Sequence, residues 1–199
     1  VRVPYFAQWE SPDLVPALLA GTVTAAQDPA WAESGAATRE EYDFWSWRLC
    51  GIACLRMVLT YRDGTAPAAM ALKDDCLAAG AYVVDGDRVH GLIYAPFVRY
   101  LAAEWDLQAT VEPSLSLADV AGHVAADRPV MISVHHSVRR PGSAPGGTGG
   151  HLVLAVGQWP DGLVIHNPSG LPGESQEYAR VPFDLLEGYF AGRGMVLRP

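Results

Sequence analysis

Apolar residues change their spacing partway along this chain. From Gly51 to Arg62, Ile52, Leu55, Val58 and Leu59 recur at helical spacing, and Ala53, Cys54 and Met57 fill the other faces. A helix that is apolar nearly all round is a buried one. Upstream, Val3-Pro4-Tyr5-Phe6-Ala7-Gln8-Trp9 reads as a short extended segment. Ser11-Pro12-Asp13 reads as a helix start with proline just inside it, and Gly21 as that helix's end. Residues 22–43 have no clear period and are predicted to be irregular. Further helices are predicted over 68–79 and 93–104. Ser116-Leu117-Ala118-Asp119 resembles a capping box, opening a helix that runs to about Asp127.

The second half is patterned for strands, predicted over 129–134, 151–156, 163–167 and 195–197, with a short helix over 183–190. His151-Leu152-Val153-Leu154-Ala155-Val156 is apolar on both faces, as a central strand is. Helices first and an antiparallel sheet second make an α+β fold. Between the first two strands, Ser137 to Gly150 holds five glycines and two prolines in fourteen residues. Such a loop beside a strand end suits either a mobile cover over a site or plain surface.

Composition narrows the class. The chain has 199 residues, 50% of them hydrophobic and 18% charged, enough for one domain with a real core. A mean hydropathy of +0.10 excludes a disordered chain. A net charge of −8 argues against nucleic-acid binding. No apolar run approaches a membrane span, and the opening Val1-Arg2-Val3-Pro4 is not a signal peptide. Three cysteines, an odd number, suggest reduced thiols. These features favour the cytoplasm over secretion, though a trimmed mature form fits them too.

Cys50 stands at the predicted start of the buried helix, where the positive end of the helix dipole favours a thiolate. The competing reading is a buried structural cysteine. A nucleophilic thiol needs a base, to be drawn from His90, His123, His135, His136, His151 and His166. Of these His123 falls mid-helix on the surface, and His151 opens the central strand directly after Gly149-Gly150, where another element or a substrate could approach closely. A base must in turn be oriented. Asn167, sixteen positions after His151, would share its face across a hairpin with an odd-length loop. A three-residue Pro160-Asp161-Gly162 loop would stagger the two by four residues unless a bulge intervened, so a wider or irregular turn is predicted at 157–161. Asn167 is equally readable as a turn residue of Asn-Pro-Ser-Gly. Cys54 reads as core, because no zinc spacing accompanies Cys50-x-x-x-Cys54 and a disulfide across one turn would be strained. Cys76 reads as a half-buried helix residue. No phosphate loop, dinucleotide glycine pattern or serine elbow is present, so no cofactor and no metal are expected.

Taken together, Val3-Pro4-Tyr5-Phe6-Ala7-Gln8, Cys50-Gly51-Ile52-Ala53-Cys54-Leu55-Arg56-Met57-Val58-Leu59, Gly149-Gly150-His151-Leu152-Val153-Leu154 and His166-Asn167-Pro168-Ser169-Gly170 form a pattern. It resembles the papain-like cysteine peptidases of the bacteriocin-processing, double-glycine family, and in particular the stand-alone members without a transporter domain. The resemblance implies a single papain-like domain over 1–199, its nucleophile helix packed on an antiparallel sheet. It implies Cys50 as nucleophile, His151 as base, Asn167 as orienting group where the family often has Asp, and Gln8 as oxyanion donor. Two departures stand out. Gln8 lies 42 residues before Cys50 rather than shortly before it, so either 11–43 is an insertion or the oxyanion hole is built otherwise. Ile52 stands where the family commonly has Pro, a change of little cost in a first helical turn.

The first functional reading is a cysteine hydrolase acting on a peptide or small amide, with Trp45, Trp47 and the Gly-rich loop 137–150 walling the cleft. An acyltransferase, ligase or cyclase could use the same triad. A catalytically inactive peptide-binding module is the third reading. A monomer is the default expectation.

Overall fold

The computed structural model describes residues 2–199. A 3-10 turn at Pro12–Leu14 leads into α1 (Val15–Leu19), where proline is expected to begin a helix. Then come α2 (Arg39–Ser46), α3 (Cys50–Asp63) and α4 (Ala69–Ala78). A small hairpin, β1 (Val83–Asp85) and β2 (Arg88–His90), precedes α5 (Tyr94–Trp105) and β3 (Gln108–Glu112). The chain continues through α6 (Leu117–Ala125), β4 (Val130–Val134), β5 (His151–Trp159), β6 (Gly162–His166), β7 (Ala179–Pro182), α7 (Phe183–Glu187) and β8 (Phe190–Arg198). The capping box at α6 is formed: Ser116 Oγ accepts from Asp119 N, and Asp119 Oδ2 accepts from Ser116 N.

Six strands make one antiparallel sheet in the order β3-β8-β4-β5-β6-β7. Its inner strands are apolar on both faces because both faces are covered. Met131, Leu152, Leu154, Met195 and Leu197 point into one core with α2 to α5. Val130, Ile132, Val134, Val153 and Ala155 point into a second core with α6 and α7. The period-two alternation along β4 and β5 thus feeds two cores.

Several elements differ from expectation. Residues 22–43 are less irregular than their pattern suggests, for they hold 3-10 turns at Ala25–Gln27 and Trp31–Ser34 and the start of α2. Helix α2 has only eight residues, too few to display a period. Its signals are local: Thr38 Oγ1 accepts from Glu41 N, and Tyr42, Trp45 and Ser46 are buried. Buried Asp28 ties this segment together, accepting from Ser11 N and Oγ, Tyr42 Oη and Ala30 N. β3 and β7, the sheet's edges, went unread because edge strands are short and mixed in polarity. Strand β8 spans nine residues rather than the three expected, and α7 ends at Glu187 rather than 190.

The turn between β5 and β6 corrects a sharper expectation. It is not wide: Trp159 pairs directly with Gly162, leaving only Pro160 and Asp161 in the loop. The irregularity lies inside β5. Gly157 pairs with Val164, but Ala155 pairs with Ile165, so Val156 is an extra residue in a β-bulge. Beyond the bulge Leu154 faces His166. Continued one step, this register sets Asn167 against Val153, on the same face as His151. An unbulged strand of the same length would set Asn167 against Leu154, on the opposite face.

Candidate active site

Cys50 is the first residue of α3 and is half-buried. The helix lies directly on β5: one turn further, Cys54 Sγ is 3.9 Å from Leu152 O. Gly51 permits this approach. A Cβ there would sit 2.8 Å from Leu92 Cδ2 and 3.2 Å from Leu152 Cδ1. Burial pushes the Cys50 thiol above its ordinary pKa, while the N–H groups of Leu152, Gly51 and Cys50 and the charge of Arg139 oppose the rise.

His151 opens β5 and is buried. Its Nε2 is 2.8 Å from Asn167 Oδ1. Hydrogen bonding fixes which atom is which. The backbone N–H of Ser169 meets Asn167 Oδ1 at 3.1 Å, and a backbone N–H only donates, so that atom is the amide oxygen. His151 Nε2 must therefore carry the hydrogen, and Nδ1 carries a lone pair. Loss of water lowers the His151 pKa to about 4, against the opposing bond to Asn167, with Arg139, His136 and His135 adding to the depression. The imidazole is thus neutral across the physiological range and able to take a proton.

Asn167 is fully buried, with its backbone held by Gln176 O and its carbonyl by Tyr5 Oη at 3.0 Å. Gln8 is buried too. Its N donates to Pro168 O at 2.9 Å, and its Nε2 donates to Ser46 O at 2.9 Å. These bonds draw the extended N-terminal segment across the molecule, so the 42-residue separation in sequence closes in space. Gln8, Cys50 and His151 line one part of a cleft of ≈ 350 Å³, with Trp47, Arg48 and Arg139. A neighbouring part of ≈ 410 Å³ shares Cys50, Gly91, Gly150 and His151 and adds Leu92, Tyr94, Ser133 and Arg193.

Two residues of this site were missed in the sequence. Ser169 is fully buried, with Oγ 3.1 Å from His151 Nε2. Arg139 Nε donates to that Oγ at 2.9 Å. Ser169 was hidden in a turn motif, and Arg139 had only its place in the Gly-rich loop to mark it. Other expectations divide. Trp47 lines the cleft, but Trp45 is in the core, edge-on to Tyr82 with ring centroids 5.9 Å apart. Gly150 lines the cleft, whereas 141–147 stand largely exposed. Cys54 is core as read, and Cys76 is fully rather than half buried. His136 reaches the cleft, His166 is buried elsewhere, and His123 is half-buried rather than a surface residue. Among the described residues no cluster of three or more His, Cys, Asp or Glu side chains is set to hold a metal, and no helix is long and apolar enough to cross a membrane.

A sequence profile of the Peptidase C39 like family matches residues 2–194. Three solved structures are similar. The peptidase domain of Streptococcus ComA, a bifunctional ABC transporter involved in quorum sensing, superposes with TM-score 0.52 at 16% identity, covering 77% of this chain and 93% of that one. A double glycine motif protease from an AMS/PCAT transporter, in complex with the leader peptide, gives 0.50 at 18% identity over 75% and 84%. A Bacillus anthracis protein assigned as a C39-like peptidase gives 0.56 at 16% identity over 76% and 89%. No curated protein sequence matches the chain. The likenesses concern the fold, which is the papain-like α+β arrangement expected from the sequence.

Proposed function

The chain belongs to the Peptidase C39 like family and is a cysteine peptidase-like enzyme, and on that premise we propose that it cleaves peptide bonds through an acyl-enzyme on Cys50. The observation that carries this reading is the 2.8 Å bond from His151 Nε2 to Asn167 Oδ1, which leaves Nδ1 unprotonated in the cleft that Cys50 lines. A double glycine motif protease of similar fold was crystallised with a leader peptide. We extend that substrate class, a peptide, to this chain. We also read the chain as one peptidase domain in which 11–43 is an added segment.

In this mechanism His151 Nδ1 takes the Cys50 proton as sulfur attacks the scissile carbonyl carbon. Asn167 holds the ring and stabilises the imidazolium that forms. The carbonyl oxygen, now an oxyanion, accepts from the Cys50 backbone N–H and from the second amide hydrogen of Gln8, the first being bound to Ser46 O. Such a donor is worth about 3 kcal/mol of transition-state stabilisation. Collapse returns the proton to the leaving amine and leaves a thioester on Cys50. Water then attacks the thioester, giving its proton to His151, and the acid departs as the thiol is restored.

The first test needs no substrate. Under limiting iodoacetamide across pH 4 to 9, Cys50 is expected to react well before the buried Cys54 and Cys76. Its reactivity should persist down to the neighbourhood of His151's pKa of about 4. His151→Ala should move that limb up to or above the free-thiol value of about 8.5, because burial raises the Cys50 thiol. If Cys50 reacts no faster than the other two cysteines, the nucleophile assignment is lost. On any peptide the enzyme cuts, Cys50→Ala should reduce the rate by at least about 10³-fold.

A further inference from the structure

The chain carries 22 acidic and 14 basic side chains, yet neither part of the cleft is lined by a single Asp or Glu. It is lined instead by Arg48, Arg139, Arg193 and His136. Asn167 stands where an Asp would supply a negative charge, so the orienting residue offers no compensation. Arg48 is already engaged, donating to Phe44 O and lying over the Phe44 ring at 4.0 Å. Arg193 is exposed. Arg139 differs from both. It is half-buried, and its Nε is anchored on Ser169 Oγ at 2.9 Å. Among the described residues its two terminal nitrogens have no protein acceptor and no carboxylate within salt-bridge distance.

A guanidinium held by one nitrogen with its planar N–H edge open is shaped for bidentate contact with a carboxylate. We propose that Arg139 is a specificity-determining residue that binds a carboxylate of the peptide next to the scissile bond. The inference rests on the peptidase reading above. The carboxylate has two sources, an acidic side chain or the chain's own C-terminus. The competing role for Arg139 is to support the Cys50 thiolate alone, since its charge favours that ion.

Two measurements separate these roles. Iodoacetate and iodoacetamide are close in size and differ by one charge. If Arg139 binds carboxylates, the iodoacetate-to-iodoacetamide rate ratio at Cys50 falls about tenfold in Arg139→Gln. Arg198→Gln, exposed and outside the cleft, should leave the ratio nearly as it was. Equal slowing of both reagents in Arg139→Gln assigns Arg139 to the thiolate and overturns the proposal.

The second measurement uses internally quenched peptide libraries matched Glu against Gln at each position, with free-acid and amidated ends. The wild type should prefer one carboxylate-bearing set by about tenfold in kcat/KM, and Arg139→Gln should bring the preference near unity. A preference among Glu peptides identifies a side chain, and one confined to free acids identifies the terminus. Cleavage without any preference keeps the peptidase reading and overturns this one. An Arg139-dependent alkylation ratio with no peptide cut would keep carboxylate binding at Arg139 but overturn the peptidase reading, and with it the place beside a scissile bond.

Discussion

His151 and His166 are both buried, and loss of water holds both near a pKa of about 4. His166 donates from Nε2 to Val3 O at 3.0 Å and accepts at Nδ1 from Tyr178 N at 3.1 Å. Protonation would set two N–H groups against each other. The fold therefore favours the neutral rings, while the unfolded chain protonates them near 6.5. Their contribution to stability is complete above pH 6.5 and is lost as pH falls toward 4. Linkage puts the loss on the order of 3 kcal/mol per ring. Thermal unfolding midpoints should fall over that window, and His166→Asn should flatten the fall. An unchanged slope in the variant would contradict the assignment to His166. At this scale the sequence named Cys50, His151 and Asn167 because each is polar, or reactive, at the end of an apolar element. Ser169 and Arg139 escaped because their roles exist only through a bond from one loop to another.

Among elements, those with a full period were legible: α3, α4, α5 and the apolar interiors of β4 and β5 were placed within a few residues. Short α2 and the edge strands β3 and β7 were not, because too few residues repeat. The β5–β6 hairpin was misjudged for a different reason. Counting positions assumes a regular ladder, and one bulge shifts the count by one. The bulge also yields a test. Removing Val156 leaves Gly157 opposite Val164 and Ala155 opposite Ile165, so every observed pair survives in a straight ladder. Deleting Val156 should therefore retain rapid Cys50 alkylation, at some cost in packing around the half-buried valine. If the deletion removes Cys50's advantage over Cys54 and Cys76 while the protein stays folded, the register argument fails.

For the whole molecule, the α+β division followed from helical spacing early and strand spacing late. The meeting of its parts did not. Nothing in the sequence announces that Gln8 is pinned between Ser46 and Pro168, because those partners are backbone carbonyls, which every residue possesses. Charge distribution was equally hidden: −8 is a total, and the cleft departs from it. That departure sets how an anionic molecule arrives. From afar it meets the repulsion of the acidic body, and only at the mouth does it meet arginine. Raising salt from about 10 to about 100 mM shortens the screening length from about 30 to about 10 Å. This hides the body before it hides half-buried Arg139. Iodoacetate capture by Cys50 should accordingly quicken over that range while iodoacetamide capture stays level, and a fall for iodoacetate would mean that the cleft governs approach even at long range. An enzyme built this way would work faster on an acidic peptide in about 100 mM salt than in dilute buffer.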